Sequence, residues 1–132
     1  MTKLKFALLG CGDVAQRDYL PEFHRLADRA QLVAVCGRTA ERAHAVADQY
    51  QIPHVYTDYR QMLAESDADA VINLTPIQLH HETTMAALAA GKHVYSEKPV
   101  AGMVAQAQQI KAQAEQHRLK LVCAPWVLVF PQ

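Results

Sequence analysis

Leu4-Lys5-Phe6-Ala7-Leu8-Leu9-Gly10-Cys11-Gly12-Asp13-Val14-Ala15 is the stretch that decides the fold. An apolar run of strand length stops at Gly-x-Gly and opens into a helix-favouring segment. The first glycine permits a sharp turn, and the second removes a Cβ so that backbone can approach a phosphate. The small residue at the third position, Ala15, lets the helix pack closely on its strand. The first amides of the helix have no intrahelical acceptor and carry a partial positive charge, which suits a diphosphate. Gly-x-Gly also occurs in turns that bind nothing. Here the strand before it, the helix after it and a second strand about 20 residues on give the pattern its weight. Gly10, Cys11, Gly12, Asp13 and Val14 are therefore expected to cradle a dinucleotide.

Working outward, apolar runs recur at Gln31–Cys36, His54–Tyr56, Asp69–Leu74, His93–Ser96 and Lys120–Ala124. Between them lie Val14–Arg29, Ala40–Tyr50, Tyr59–Glu65, Leu79–Ala90 and Met103–His117, rich in residues that favour helix. Thr39 is placed to cap the second helix and Gly91 to end the fourth. Pro21 is expected to break or kink the first, because proline removes a helix hydrogen bond. Buried strands alternating with helices predict an α/β fold, a doubly wound parallel sheet of the Rossmann type with about six strands and helices on both faces. Residues 1–125 read as one NAD(P)-binding domain. The apolar tail 126–132 reads as the start of a crossover to a second, substrate-binding domain that the chain lacks.

Composition narrows the function classes. Lys plus Arg equal Asp plus Glu, 13 each, so no charge excess points to nucleic acid or an anionic membrane. No apolar run approaches the roughly 20 residues that span a bilayer. Three widely spaced cysteines (Cys11, Cys36, Cys123) fit reduced thiols in the cytoplasm better than a disulfide framework.

The tip of the second strand, Cys36-Gly37-Arg38-Thr39, lacks the acidic residue that would hold NAD ribose hydroxyls. Arg38 can pair with a 2′-phosphate and stack on adenine, and Thr39 can donate to it. NADP is therefore preferred, with NAD possible. After the fifth strand comes Ser96-Glu97-Lys98-Pro99, at the sheet edge where ligands bind. A lysine there can act as general acid or base at a substrate hydroxyl. A lysine before proline in a loop is often merely exposed, so the residues alone leave both readings open. His80, His81 and Glu82 suggest no metal site, because adjacent positions on a helix point apart.

Taken in order, Gly-Cys-Gly-Asp-Val-Ala, Cys-Gly-Arg-Thr, Thr75-Pro76-Ile77-Gln78-Leu79-His80, Ala90-Gly91-Lys92-His93-Val94 and Glu97-Lys98-Pro99 resemble the glucose-fructose oxidoreductase/inositol dehydrogenase/rhizopine-catabolism (GFO/IDH/MocA) family over essentially the whole chain. The resemblance implies a Lys98 beside nicotinamide and substrate, with Glu97 and Pro99 shaping the turn around a frequently cis Lys-Pro bond. It also implies that Leu74, Thr75 and Pro76 run under the cofactor and that His80 is the histidine following that loop. Family members often carry Asn after that proline, where this chain has Ile77. The implied activity is NAD(P)-dependent oxidation or reduction of a sugar, cyclitol or related polyol. The implied full-length protein is a homo-oligomer with a second domain completing the site, and the chain alone is expected to be inactive. Two alternatives belong to other classes: a non-catalytic dinucleotide-sensing module, and a Rossmann domain of another group such as a methyltransferase.

Overall fold

All six strands finish on one rung. In the computed structural model, which describes residues 2–124, β1 (Leu4–Leu9), β2 (Ala30–Cys36), β3 (His54–Tyr56), β4 (Ala70–Asn73), β5 (His93–Ser96) and β6 (Leu121–Cys123) form one sheet in the order β3-β2-β1-β4-β5-β6. Every pairing is parallel. The register sets Tyr56, Cys36, Leu9, Asn73, Ser96 and Cys123 side by side. The ladder then runs one residue further, because Gly37, Gly10, Leu74, Glu97 and Ala124 each donate an N–H to the neighbouring strand's last carbonyl. The loops that leave the sheet therefore start level, above one edge. Strand order reverses between β1 and β4, where such sheets open a crevice.

Side-chain alternation divides the strands between two cores. Ala7, Ala34, Val71 and Val94 pack with Met62, Leu63, Leu88 and Ile110 of α3 (Tyr59–Glu65), α4 (His80–Ala89) and α5 (Val104–Gln116). Leu8, Val35 and Ile72 face the other way, onto Ala15, Leu20, Ala43 and Val46 from the first helical stretch and α2 (Ala40–Tyr50). Period-2 burial on both faces is what a doubly covered parallel sheet requires.

The predicted α2, α3, β1, β3 and β5 match their observed bounds, and the remaining strands and helices differ by flanking residues. The first helix differs in kind. It runs as a π-helical turn Ala15–Tyr19, a short α-helix α1 (Leu20–Phe23) and a 3-10 turn His24–Leu26. The Leu20 N–H reaches back five residues to the Ala15 carbonyl. This wider turn sits just ahead of Pro21, where an α-helical donor is lost, so the helix changes register instead of breaking. Thr39 occupies the start of α2, but its hydroxyl makes no capping bond. Gly91 ends α4 at φ +78°. The tail 126–132 read above as a crossover lies outside the described residues.

Gly10 has φ +96°, and a Cβ there would lie 2.6 Å from the Leu74 carbonyl oxygen. At Gly91, also at positive φ, an added Cβ meets nothing within 4 Å. Gly91→Ala should lower the unfolding free energy by about 1 kcal/mol through backbone strain alone. Gly10→Ala should lose a further 1–3 kcal/mol or so from the clash, read from urea midpoints at constant slope. Equal losses would show that the β1 and β4 ends do not approach this closely.

Candidate nucleotide-binding site

Above the reversal point lies a cleft of about 1180 Å³, larger than the roughly 300–1000 Å³ of ordinary small-molecule pockets. Gly10, Cys11, Gly12, Asp13 and Val14 form its floor near β1, with Arg38 and Thr39 at the β2 side. Leu74, Thr75, Pro76 and His80 line the β4 side, and Glu97 and Lys98 the β5 side. Thirteen of the fourteen expected residues thus line one cleft. Pro99 is not among the lining residues, and its carbonyl is engaged by His80, described below.

The two glycines of the loop do different work. Gly10 allows the close approach to Leu74. Gly12 would carry its Cβ into open space, with no atom within 4 Å, so its backbone is bare toward the cleft. The Gln16 side chain donates to the Cys11 carbonyl at 2.9 Å and holds the loop's shape. The Cys11 side chain turns inward and is only 3% exposed. It rests on Gly37, where a Cβ would collide with its Sγ. Burial raises the Cys11 thiol, opposed by the nearby Arg42 guanidinium, and pushes the Cys36 thiol up to about 11. An open glycine backbone at a helix start fits the diphosphate of a dinucleotide.

Arg42 was not singled out by sequence reasoning, yet it lines the cleft with Arg38. The two stand four apart, one on the β2 loop and one in the first turn of α2, and both are exposed. No local pattern signals Arg42, because Arg38 precedes the extended Thr39 and the two arginines do not share a helix face. Among the described residues no ion pair involves Arg38, Arg42 or Lys98.

Asn73 also escaped the sequence reading. It is fully buried at the end of β4. Its amide donates to the hydroxyls of Thr83 and Thr84 at 2.8 and 2.9 Å, while its Oδ1 accepts from the Thr75 hydroxyl and amide at 2.7 and 3.2 Å. This side chain holds the Thr75 end of the Thr75-Pro76 loop. Beyond it, Ile77 and Leu79 present exposed apolar surface to the cleft, where Asn would have offered polar contact.

Glu97 is held away from the ammonium that follows it. Its carboxylate accepts the Tyr19 hydroxyl at 2.6 Å and the Lys98 amide at 3.0 Å. Tyr19 also reaches the Tyr95 hydroxyl at 3.3 Å, and burial followed by the Glu97 bond drives its phenol pKa upward. The Lys98-Pro99 bond is cis. At the outer rim, Tyr59 donates to Glu82 at 2.7 Å, its pKa pushed up to about 12 by burial and that carboxylate. Among the described residues, no group of three or more His, Cys, Asp or Glu could hold a metal ion, and no helix is long and apolar enough to cross a membrane.

The sequence profile of GFO/IDH/MocA, an oxidoreductase family with an NAD-binding Rossmann fold, matches residues 4–124. The chain belongs to this family. A 4-carboxy-2-hydroxymuconate-6-semialdehyde dehydrogenase of Sphingobium sp. is 36% identical over 91% of this chain and 37% of its own length. The inositol 2-dehydrogenase of Salmonella typhimurium is 34% identical over 86% of this chain and 33% of its own. Among solved structures, the 3-ketoreductase KijD10 of Actinomadura kijaniata, in complex with NADP and TDP-benzene, superposes with a TM-score of 0.90 at 31% identity. That match covers 99% of this chain and 40% of the ketoreductase. The chain spans about a third of the length of the curated relatives it matches. It is an NAD(P)-binding Rossmann domain of the oxidoreductase type.

Asn73→Ala should cost about 3 kcal/mol or more, because it removes four hydrogen bonds and leaves the Thr84 hydroxyl and the Thr75 amide without the partner they have here. Chemical denaturation measures the loss. A change under about 1 kcal/mol would mean that water replaces the side chain and that the loop does not depend on it.

Proposed function

We propose that this domain binds NADP in preference to NAD and presents it for hydride transfer to or from a sugar, cyclitol or related polyol. The observation that carries the reading is the one cleft shared by an open glycine loop, two arginines free of ion pairs among the described residues, and Lys98. A bound nicotinamide supplies or accepts the hydride. The chain's own residues do the rest. Backbone amides around Gly12 take the diphosphate, and Leu74, Thr75 and Pro76 support the ligand from the β4 side.

The cofactor preference rests on the end of β2. A 2′-phosphate placed there meets Arg38, Arg42, the uncapped start of α2 and a Thr39 hydroxyl not engaged in capping. No carboxylate stands among the cleft residues at that strand's tip to repel it. Guanidinium groups suit phosphate because their donors form a planar fork.

Lys98 is the acid–base residue of the proposal. Exposed at the cleft and free of ion pairs among the described residues, it can give a proton from its ammonium form to a carbonyl oxygen as reduction proceeds, or take one as the neutral amine from a hydroxyl during oxidation. Substrate class draws on relatives named for inositols and deoxysugars; the semialdehyde dehydrogenase shows that the family is not confined to them. We place the protein in the cytoplasm, where its three free cysteines stay reduced.

Parallel fluorescence titrations with NADPH and NADH test the cofactor half. Arg38→Ala combined with Arg42→Ala should weaken NADPH by about 10–100-fold, two lost charge-assisted contacts, and NADH by only a few-fold. Equal losses for both nucleotides would refute the 2′-phosphate assignment. In a full-length parent that carries the second domain, Lys98→Ala should leave NADPH affinity within a few-fold while lowering hydride transfer by about 10²–10⁴-fold. Unchanged transfer would remove Lys98 from the chemistry.

A further inference from the structure

We propose that His80 is a positioning residue that fastens the Lys98 turn to the Thr75-Pro76 loop, and that it does so with both ring nitrogens protonated. The side chain is 1% exposed. Its Nδ1 lies 2.6 Å from the Pro99 carbonyl oxygen and its Nε2 lies 2.7 Å from the Thr75 carbonyl oxygen. Carbonyl oxygens only accept. A neutral imidazole has one N–H and one bare nitrogen, so either tautomer would set a lone pair against a carbonyl at close range. Exchanging tautomers moves the fault from one loop to the other. The imidazolium alone donates to both, and charge-assisted bonds are the short ones.

The groups around the ring leave it that task. On its own helix, His81 pairs with Gln109 at 2.9 Å and Glu82 accepts from Tyr59. From the β5 side, Glu97 is engaged by Tyr19 and by the Lys98 amide, and Lys98 is exposed. No carboxylate among the described residues forms an ion pair with the ring. Two backbone dipoles are what offset its charge. The consequence is mechanical. Lys98 sits between Glu97, tied to Tyr19, and Pro99, tied through His80 to the loop under the cofactor. The ring thus sets the separation between the proton-handling side chain and the nucleotide floor.

The functional consequence rests on the proposed function above, whereas the ring's protonation and its two bonds do not. The experiment keeps them apart. In the nucleotide-free chain at neutral pH, ¹⁵N imidazole spectra should give His80 two similar, protonated nitrogens. Amide exchange at Thr75 and Lys98 should be about tenfold faster in His80→Leu, with the Leu74 amide of the sheet unchanged and His80→Gln, which keeps a donor, in between. NADPH should bind about tenfold more weakly to His80→Leu than to the wild type. A His80 ring with one bare nitrogen, or loop amides indifferent to both substitutions, overturns the proposal. If His80→Leu does not fold, the wild-type spectrum and His80→Gln decide. A wild type that ignores NADPH retires the dinucleotide reading, and the spectrum and exchange rates still judge the clamp.

Discussion

Everything around the cleft depends on how closely the end of β1 approaches the end of β4. Gly10 makes that approach possible, since its positive φ and missing Cβ let the Leu74 carbonyl lie where a side chain would be. Its amide meanwhile continues the ladder to Cys36, and the Leu74 amide bonds back to the Leu9 carbonyl at 2.7 Å. Three strands are thus joined one residue beyond their nominal ends. The loops then diverge from a common level, and the cleft is the space between them. A methyl group at this position would push the β1 loop off β4 and separate the two walls that a single ligand must touch.

Those walls are built on different terms. The glycine loop is shaped by absence: no Cβ at Gly10, none at Gly12, and none at Gly37, where Cys11 turns its side chain out of the ligand's way. The β4 wall is shaped by satisfied polarity. Asn73 spends its amide and carbonyl on three threonines, and His80 spends both ring nitrogens on the backbone. Buried polar groups carry a desolvation penalty unless paired, so a complete network of this kind tolerates one arrangement and penalises its neighbours. Such rigidity suits a surface that must present a cofactor at a fixed height.

Much of this was legible from local patterns. Strand lengths, the helix stretches and the glycine spacing are written in consecutive residues, and α2, α3, β1, β3 and β5 follow them. The misses are non-local. Asn73 ends an apolar run and reads as nothing more, because its partners lie ten and eleven positions on, in a helix whose docking the sequence does not display. Tyr19 meets Glu97 across 78 positions. Arg42 lines the cleft with Arg38 because the first turn of α2 docks beside the β2 loop, a placement the sequence does not display. Pro21 shows a local rule meeting a wider menu: the missing donor is real, and the backbone absorbs it with a π-helical turn. Thr39 shows the reverse, a capping residue in the capping position whose hydroxyl does not cap.

The distribution of unpaired charge then separates scaffold from function. The chain carries 13 basic and 13 acidic side chains, so no net charge draws an anionic ligand from a distance, and attraction must come from local placement. Around the cleft, the buried polar groups of Asn73, Thr83, Thr84 and His80 are satisfied by the chain itself. Arg38, Arg42 and Lys98, by contrast, are exposed and free of ion pairs among the described residues. Exposed cations are cheap to leave unpaired, because water solvates them until a ligand arrives. Buried polar groups have no such recourse to water, and for that reason His80 must find its partners within the fold. Inward polarity sets the geometry, and outward charge is left to solvent, with Lys98 the one residue of its turn whose charged group is exposed and unengaged among the described residues.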